Sequence, residues 1–135
     1  MKTLTVDAII ENVRTVTAFV DEQLEAIDCP IKAQMQIDVA IDEMFSNIAY
    51  YAYEPEIGEA TIQLEVLEEP RAVKLTFIDN GKPYDPLKSE DPNTELSAEE
   101  RKIGGWGIYM VKNIMDEVFY EYTEGQNKLS IVKYI

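Results

Sequence analysis

An α+β fold is predicted for this chain: a two-layer α/β sandwich of a mostly antiparallel sheet with helices on one face. Two observations predict it. Apolar residues recur at three- and four-residue spacing in two stretches before residue 53. Later, two pairs of alternating apolar and polar runs are each joined by a short turn, in the manner of hairpins. No strand–helix–strand alternation of the kind that builds a parallel sheet is present. The expected order is β-α-α-β-β-lid-α-β-β, in a single domain over residues 1–135.

Each element has its own signal. Leu4 and Val6 mark a short first strand. From Asp7, which could cap a helix, the residues Ile10, Val13, Val16, Phe19 or Val20, Leu24 and Ile27 fall on one helical face. Pro30, which has no backbone donor, is expected to end that helix. A second helix fits roughly Ile31 to Tyr51, with Ile37, Ile41, Met44, Phe45, Ile48 and Ala52 as its apolar stripe. Pro55 and Gly58 mark a loop. Ile62, Leu64 and Val66 then alternate with polar residues, Glu69-Pro70-Arg71 makes a turn, and Val73, Leu75 and Phe77 alternate again. Residues from about 80 to 104 carry Pro83, Pro86 and Pro92 with almost no aliphatic period, and loops of that length inside compact domains are often lids over a site. Gly105 to Asp116 reads as a third helix. Val118, Tyr120 and Tyr122, then Leu129 and Ile131 beyond Gly125, make a closing hairpin.

Composition narrows the chemistry. The chain has no histidine and a single cysteine, Cys29, which removes histidine-based catalysis, histidine ligation of zinc, an internal disulfide and a cysteine metal cluster. With 26 acidic and 12 basic residues, the net charge of −14 should repel nucleic acid and anionic membranes. Solubility is the plainest use of that charge, and a partner with a basic face is the sharper one. The apolar runs are too short to span a membrane, and the first residues lack the apolar block of a secretory signal, so a cytoplasmic protein is expected.

Three segments carry the candidate chemistry. Glu43 and Asn47 stand one helical turn apart on the same side of the second helix, about 100° of rotation per residue placing both nearly opposite the stripe centred on Ile41. A carboxylate can take a proton, and an amide oxygen suits Mg²⁺. Taken alone, the pair reads better as an ordinary solvated helix face. Asp79 ends a buried strand and, when ionised, only accepts hydrogen bonds, which suits the exocyclic amine of adenine. Gly81 follows, where a ring could lie close to a backbone without a Cβ. Asp79-Asn80-Gly81 is also a common turn signal. Gly104-Gly105-Trp106-Gly107 opens the third helix, where backbone N–H groups can bind an anion. Arg101 and Lys102, the one adjacent basic pair, stand just upstream and could neutralise phosphate, or simply be solvated. Neither a P-loop nor a Rossmann fingerprint is present.

In this order the segments resemble the GHKL ATPase superfamily, and within it the small anti-sigma factor and serine-protein kinase branch. Ala40 to Tyr53 resembles the N box, with Tyr51 where the family usually has histidine. Phe77 to Pro86 resembles the G1 box with its aromatic-Asp-Pro tail, and Gly104 to Tyr109 resembles the G2 box. The resemblance implies the histidine-kinase-like ATPase fold, ATP and Mg²⁺ as cofactors, and a set of roles: Glu43 as general base, Asn47 as the Mg²⁺ ligand, Asp79 on the adenine amine with Gly81 beside it, and Gly105 and Gly107 flanking the phosphates, with Lys102 nearby. It further implies a homodimer that regulates transcription by binding a sigma factor and phosphorylating a small antagonist protein on serine or threonine. A nucleotide-dependent binding switch without catalysis is the alternative, and a scaffold with a decayed site comes third.

Overall fold

The structure is a computed structural model that describes residues 1–88 and 106–135. Its strands are β1 (Lys2–Asp7), β2 (Glu59–Leu67), β3 (Ala72–Asp79), β4 (Glu117–Thr123) and β5 (Gln126–Tyr134). Its helices are α1 (Val13–Ala26), α2 (Ile31–Asn47) and α3 (Trp106–Ile114). The five strands form one sheet in the order β1-β2-β3-β5-β4, every neighbouring pair antiparallel. The expected α+β sandwich is therefore present. Among the described residues no helix is long and apolar enough to cross a membrane.

The sheet register explains the layers. Leu4, Ile62, Phe77, Leu129 and Tyr120 lie in one cross-strand row, and Leu64, Leu75, Ile131 and Val118 in the next. Because side chains alternate between faces, both rows point the same way, toward the helices. Val16, Val20 and Leu24 of α1 and Ile37, Ile41, Met44 and Phe45 of α2 bury themselves against this face. Ile108, Val111 and Met115 close the core from α3 and the turn after it. The opposite face carries polar pairs, with Thr5 bonded to Thr61 at 2.9 Å and Thr76 to Ser130 at 3.0 Å. Truncating a fully buried ring such as Phe45 or Phe77 to alanine should cost about 3–5 kcal/mol.

The helix ends depart from the sequence expectation. Asp7 does not cap α1. It is the last residue of β1, paired with Glu59, and the next N–H, of Ala8, still bonds the carbonyl of Gly58 at 2.8 Å. The chain is thus held to its neighbouring strand there, and only after a 3₁₀ turn at Ile10–Asn12 does α1 begin. Nor does Pro30 end α1. The helix stops at Ala26, and Asp28 takes a left-handed φ of 55°. The N–H groups of Asp28 and Cys29 then bond the carbonyls of Glu25 and Leu24 at 3.2 and 3.0 Å, a Schellman closure. Pro30 instead stands at the N-cap of α2, in an extended conformation with ψ 138°. α2 keeps its α-helical bonding only to Asn47, and a wider π-helical turn carries the chain through Ile48–Ala52.

Candidate functional site

Glu43 is not on an open helix face. α3 packs along the flank of α2, and its first turn brings Gly107 against the Glu43 side chain: a Cβ on Gly107 would lie 2.2 Å from Glu43 Oε2. Glu43 is half-buried in that seam. Burial raises its pKa above the usual carboxylate range, and the charge of Asp42 adds to the rise. Asn47, one turn on, is also half-buried. Among the described residues, neither side chain makes a hydrogen bond or ion pair, so a carboxylate and an amide are left available side by side.

The π-helical turn after Asn47 ties this helix to the end of β3. Its last carbonyl, from Ala52, accepts the N–H of Lys82 at 3.0 Å. Gly81 lies so close that a Cβ there would meet Ala52 O at 2.2 Å. The missing side chain thus makes room for the backbone of Ala52. Tyr53 fixes the same junction, its hydroxyl donating to the Glu59 carbonyl at 2.6 Å and accepting from Asn80 N–H at 2.7 Å. Pi-helical turns recur at functional sites, and this one brings Ala52 against the loop that follows Asp79.

Asp79 is 5% exposed, as expected of a residue ending a buried strand. Burial raises its pKa, while hydrogen bonds from Asn127 and Gly81 pull it back down. Both bonds land on Oδ1: Gly81 N–H donates at 2.9 Å and Asn127 Nδ2 at 2.9 Å. Oδ2 receives none among the described residues, which leaves one oxygen for a ligand donor.

Asn127 escaped the sequence reading. It sits directly across from Asp79 in the β3–β5 register and points to the same inner face. A signal existed: stepping back by two from Ile131 and Leu129 lands on a polar residue in the inward phase. Gly107 and Glu43 are brought together, as are the π-helical turn after α2 and the Asp79–Gly81 loop. Gly105 and Lys102 lie outside the described residues. A separate surface cleft of about 300 Å³ lies at the opposite end of α2, between Pro30, Lys32 and Lys133, and contains none of the candidate residues.

Fit to a metal-bound nucleotide can be judged on these groups. Mg²⁺ is usually held by one or two protein oxygens together with phosphates and water. The free amide of Asn47 can supply such an oxygen.

A five-stranded antiparallel sheet backed by helices is the architecture of a histidine kinase-like ATPase. The profile of the histidine kinase-like ATPase domain matches residues 6–133, and the chain belongs to that family. It is similar to the serine/threonine-protein kinase BtrW of Bordetella bronchiseptica, 27% identical over 103 residues that cover 76% of this chain and 72% of that protein. It is also similar to the serine-protein kinase RsbW of Listeria innocua, 31% identical over 104 residues, 73% of this chain and 64% of that one. RsbW of Bacillus cereus is 31% identical over 101 residues, 72% and 61% of the two chains. The chain therefore spans under two thirds of either RsbW protein. A crystal structure of the RsbU and RsbW domains of a Mycobacterium tuberculosis protein covers 99% of this chain and 32% of its own, with a TM-score of 0.65 and 19% identity. At that identity the likeness speaks for the fold.

Proposed function

We propose that this protein binds Mg-ATP and transfers the γ-phosphoryl group to a serine or threonine hydroxyl of a small antagonist protein, as an anti-sigma factor with protein kinase activity. The observation that carries this reading is Glu43: a half-buried carboxylate of raised proton affinity, unpaired among the described residues, set against the first turn of α3. A base that holds a proton more tightly than a solvated carboxylate is better matched to a hydroxyl proton at neutral pH. Asn47 would hold Mg²⁺, which supplies charge neutralisation on the phosphates when bound. Asp79 Oδ2 would accept the adenine amine. Gly107 leaves space beside Glu43, and Gly105 and Lys102 are assigned to the phosphates by family resemblance. A homodimer, a single-domain organisation and a cytoplasmic location belong to the same proposal.

A protein substrate is favoured by the surface beside the base. Ile31, Met35 and Val39 are 70%, 62% and 39% exposed at four-residue spacing on α2, and Glu43 is the next residue in that series. An apolar ridge leading to the base suits a folded partner better than a small polar acceptor.

Incubation with Mg-ATP and a cognate antagonist should yield phosphoserine or phosphothreonine, and EDTA should stop the reaction. Glu43→Ala should slow transfer by about 10²–10⁴-fold while fluorescent-ATP binding persists. Equal phosphorylation by the variant would remove Glu43 from the mechanism. Binding of ATP by the parent with no transfer would select the non-catalytic switch.

A further inference from the structure

Asn127 is 6% exposed, and every hydrogen-bonding position on its amide is filled by the protein itself. Nδ2 donates to Asp79 Oδ1 at 2.9 Å and to the Lys82 carbonyl at 2.8 Å, with the Gly81 carbonyl farther off at 3.5 Å. Oδ1 accepts the Tyr84 N–H at 3.1 Å and the Tyr120 hydroxyl. The orientation of the amide is forced, because a backbone N–H faces one end and a backbone carbonyl the other. Two donor hydrogens and two acceptor positions are thus spent, and none remains for a ligand. Whatever Asn127 does for a nucleotide, it does through Asp79 and through residues 82–84.

We propose that Asn127 is a positioning residue for purine recognition: it holds Asp79 ionised with Oδ2 free for an exocyclic amine, and locks that carboxylate to the 82–84 backbone. The inference rests on the nucleotide-binding part of the function proposed above. Its physical basis is that a carboxylate in a nearly dry row needs donors to stay charged. Asp79 has two, Gly81 N–H and the Asn127 amide. The latter arrives from β5, 48 residues away in sequence, so the sheet register sets the acceptor. Tyr120, from β4 on the far side of β5, holds the amide in turn.

The test compares ATP with ITP, which lacks the exocyclic amine, in the full chain with Mg²⁺. Asn127→Leu should weaken ATP binding about tenfold at neutral pH and leave ITP nearly unchanged, so the ATP preference collapses. The acid limb of ATP affinity should move to higher pH, because Asp79 loses a donor that lowers its pKa. A merely structural role would weaken both nucleotides alike and leave the limb in place, and that result overturns the proposal. Should Asn127→Leu fail to fold, Tyr120→Phe should shift the same two readouts in the same direction by less. In the unmutated protein, the Asn127 side-chain amide resonance should titrate with the midpoint of the Asp79 carboxyl carbon, and independent midpoints would refute the coupling. A parent protein that binds neither nucleotide but shows that common midpoint would sink the nucleotide reading and leave the Asp79–Asn127 coupling standing.

Discussion

Glu43 and Gly107 occupy one another's space. The position a Gly107 Cβ would take is held by the tip of a flexible side chain rather than by backbone, so Gly107→Ala is cheap to fold but displaces the Glu43 carboxylate. The expected outcome is a thermal midpoint within about 3 °C of the parent and phosphotransfer reduced by about 10²-fold, read by denaturation and by phosphoserine formation. Unchanged transfer would show that the seam does not position the base. Gly81 behaves differently, because its missing Cβ faces the Ala52 carbonyl, and no rotamer relieves that clash. Glu43 and Asn47 were legible in the sequence as a same-side pair. Their setting was not, because the flank of α2 they occupy becomes a seam only when α3 arrives from more than 50 residues later.

Between α1 and α2 stands an acidic contact that no periodicity announces. Among the described residues, Asp21 of α1 and Asp38 of α2 each bury Oδ1 without a hydrogen-bond partner. The pKa of Asp38 is raised from 3.8 to about 7, first by burial, then by the Asp21 carboxyl close beside it and by the charge of Glu25. A carboxyl whose folded pKa exceeds its unfolded value stabilises the fold when protonated. That contribution is complete below pH 3.8 and is lost as pH rises through about 7. Asp38→Asn is neutral at every pH. It should therefore raise the thermal midpoint by about 3 °C at pH 8, a figure discounted for the group's solvent exposure, and lose that advantage near pH 4. A gain that does not depend on pH would point to packing instead of charge.

Over the whole molecule the charge of −14 acts at longer range than any of these contacts. Glu22 and Glu25 of α1 and Asp42 of α2 stand exposed, and α2 also carries the exposed apolar ridge of Ile31, Met35 and Val39. A basic-faced partner would be steered toward that side. Association with such a partner should slow by about tenfold between 50 mM and 500 mM salt, measured by stopped flow, with a smaller change in dissociation rate. An association rate indifferent to salt would mean that the charge serves solubility alone.

The sequence by itself determined the element types, their order and the α+β class, because helical and strand periods are local properties of which residues an element must bury. It also determined the chemistry on offer: Glu43, Asn47 and Asp79, with no histidine anywhere. Tertiary structure decided where the helices begin and end. β1 stays tied to Gly58 past Asp7, and Asp28, not Pro30, closes α1. It also decided the surroundings of the site. Asn127 meets Asp79 because β5 inserts between β3 and β4, and Gly107 meets Glu43 because α3 lies along α2. Strand order and helix docking join residues far apart in the chain, and local propensity holds no record of such pairings.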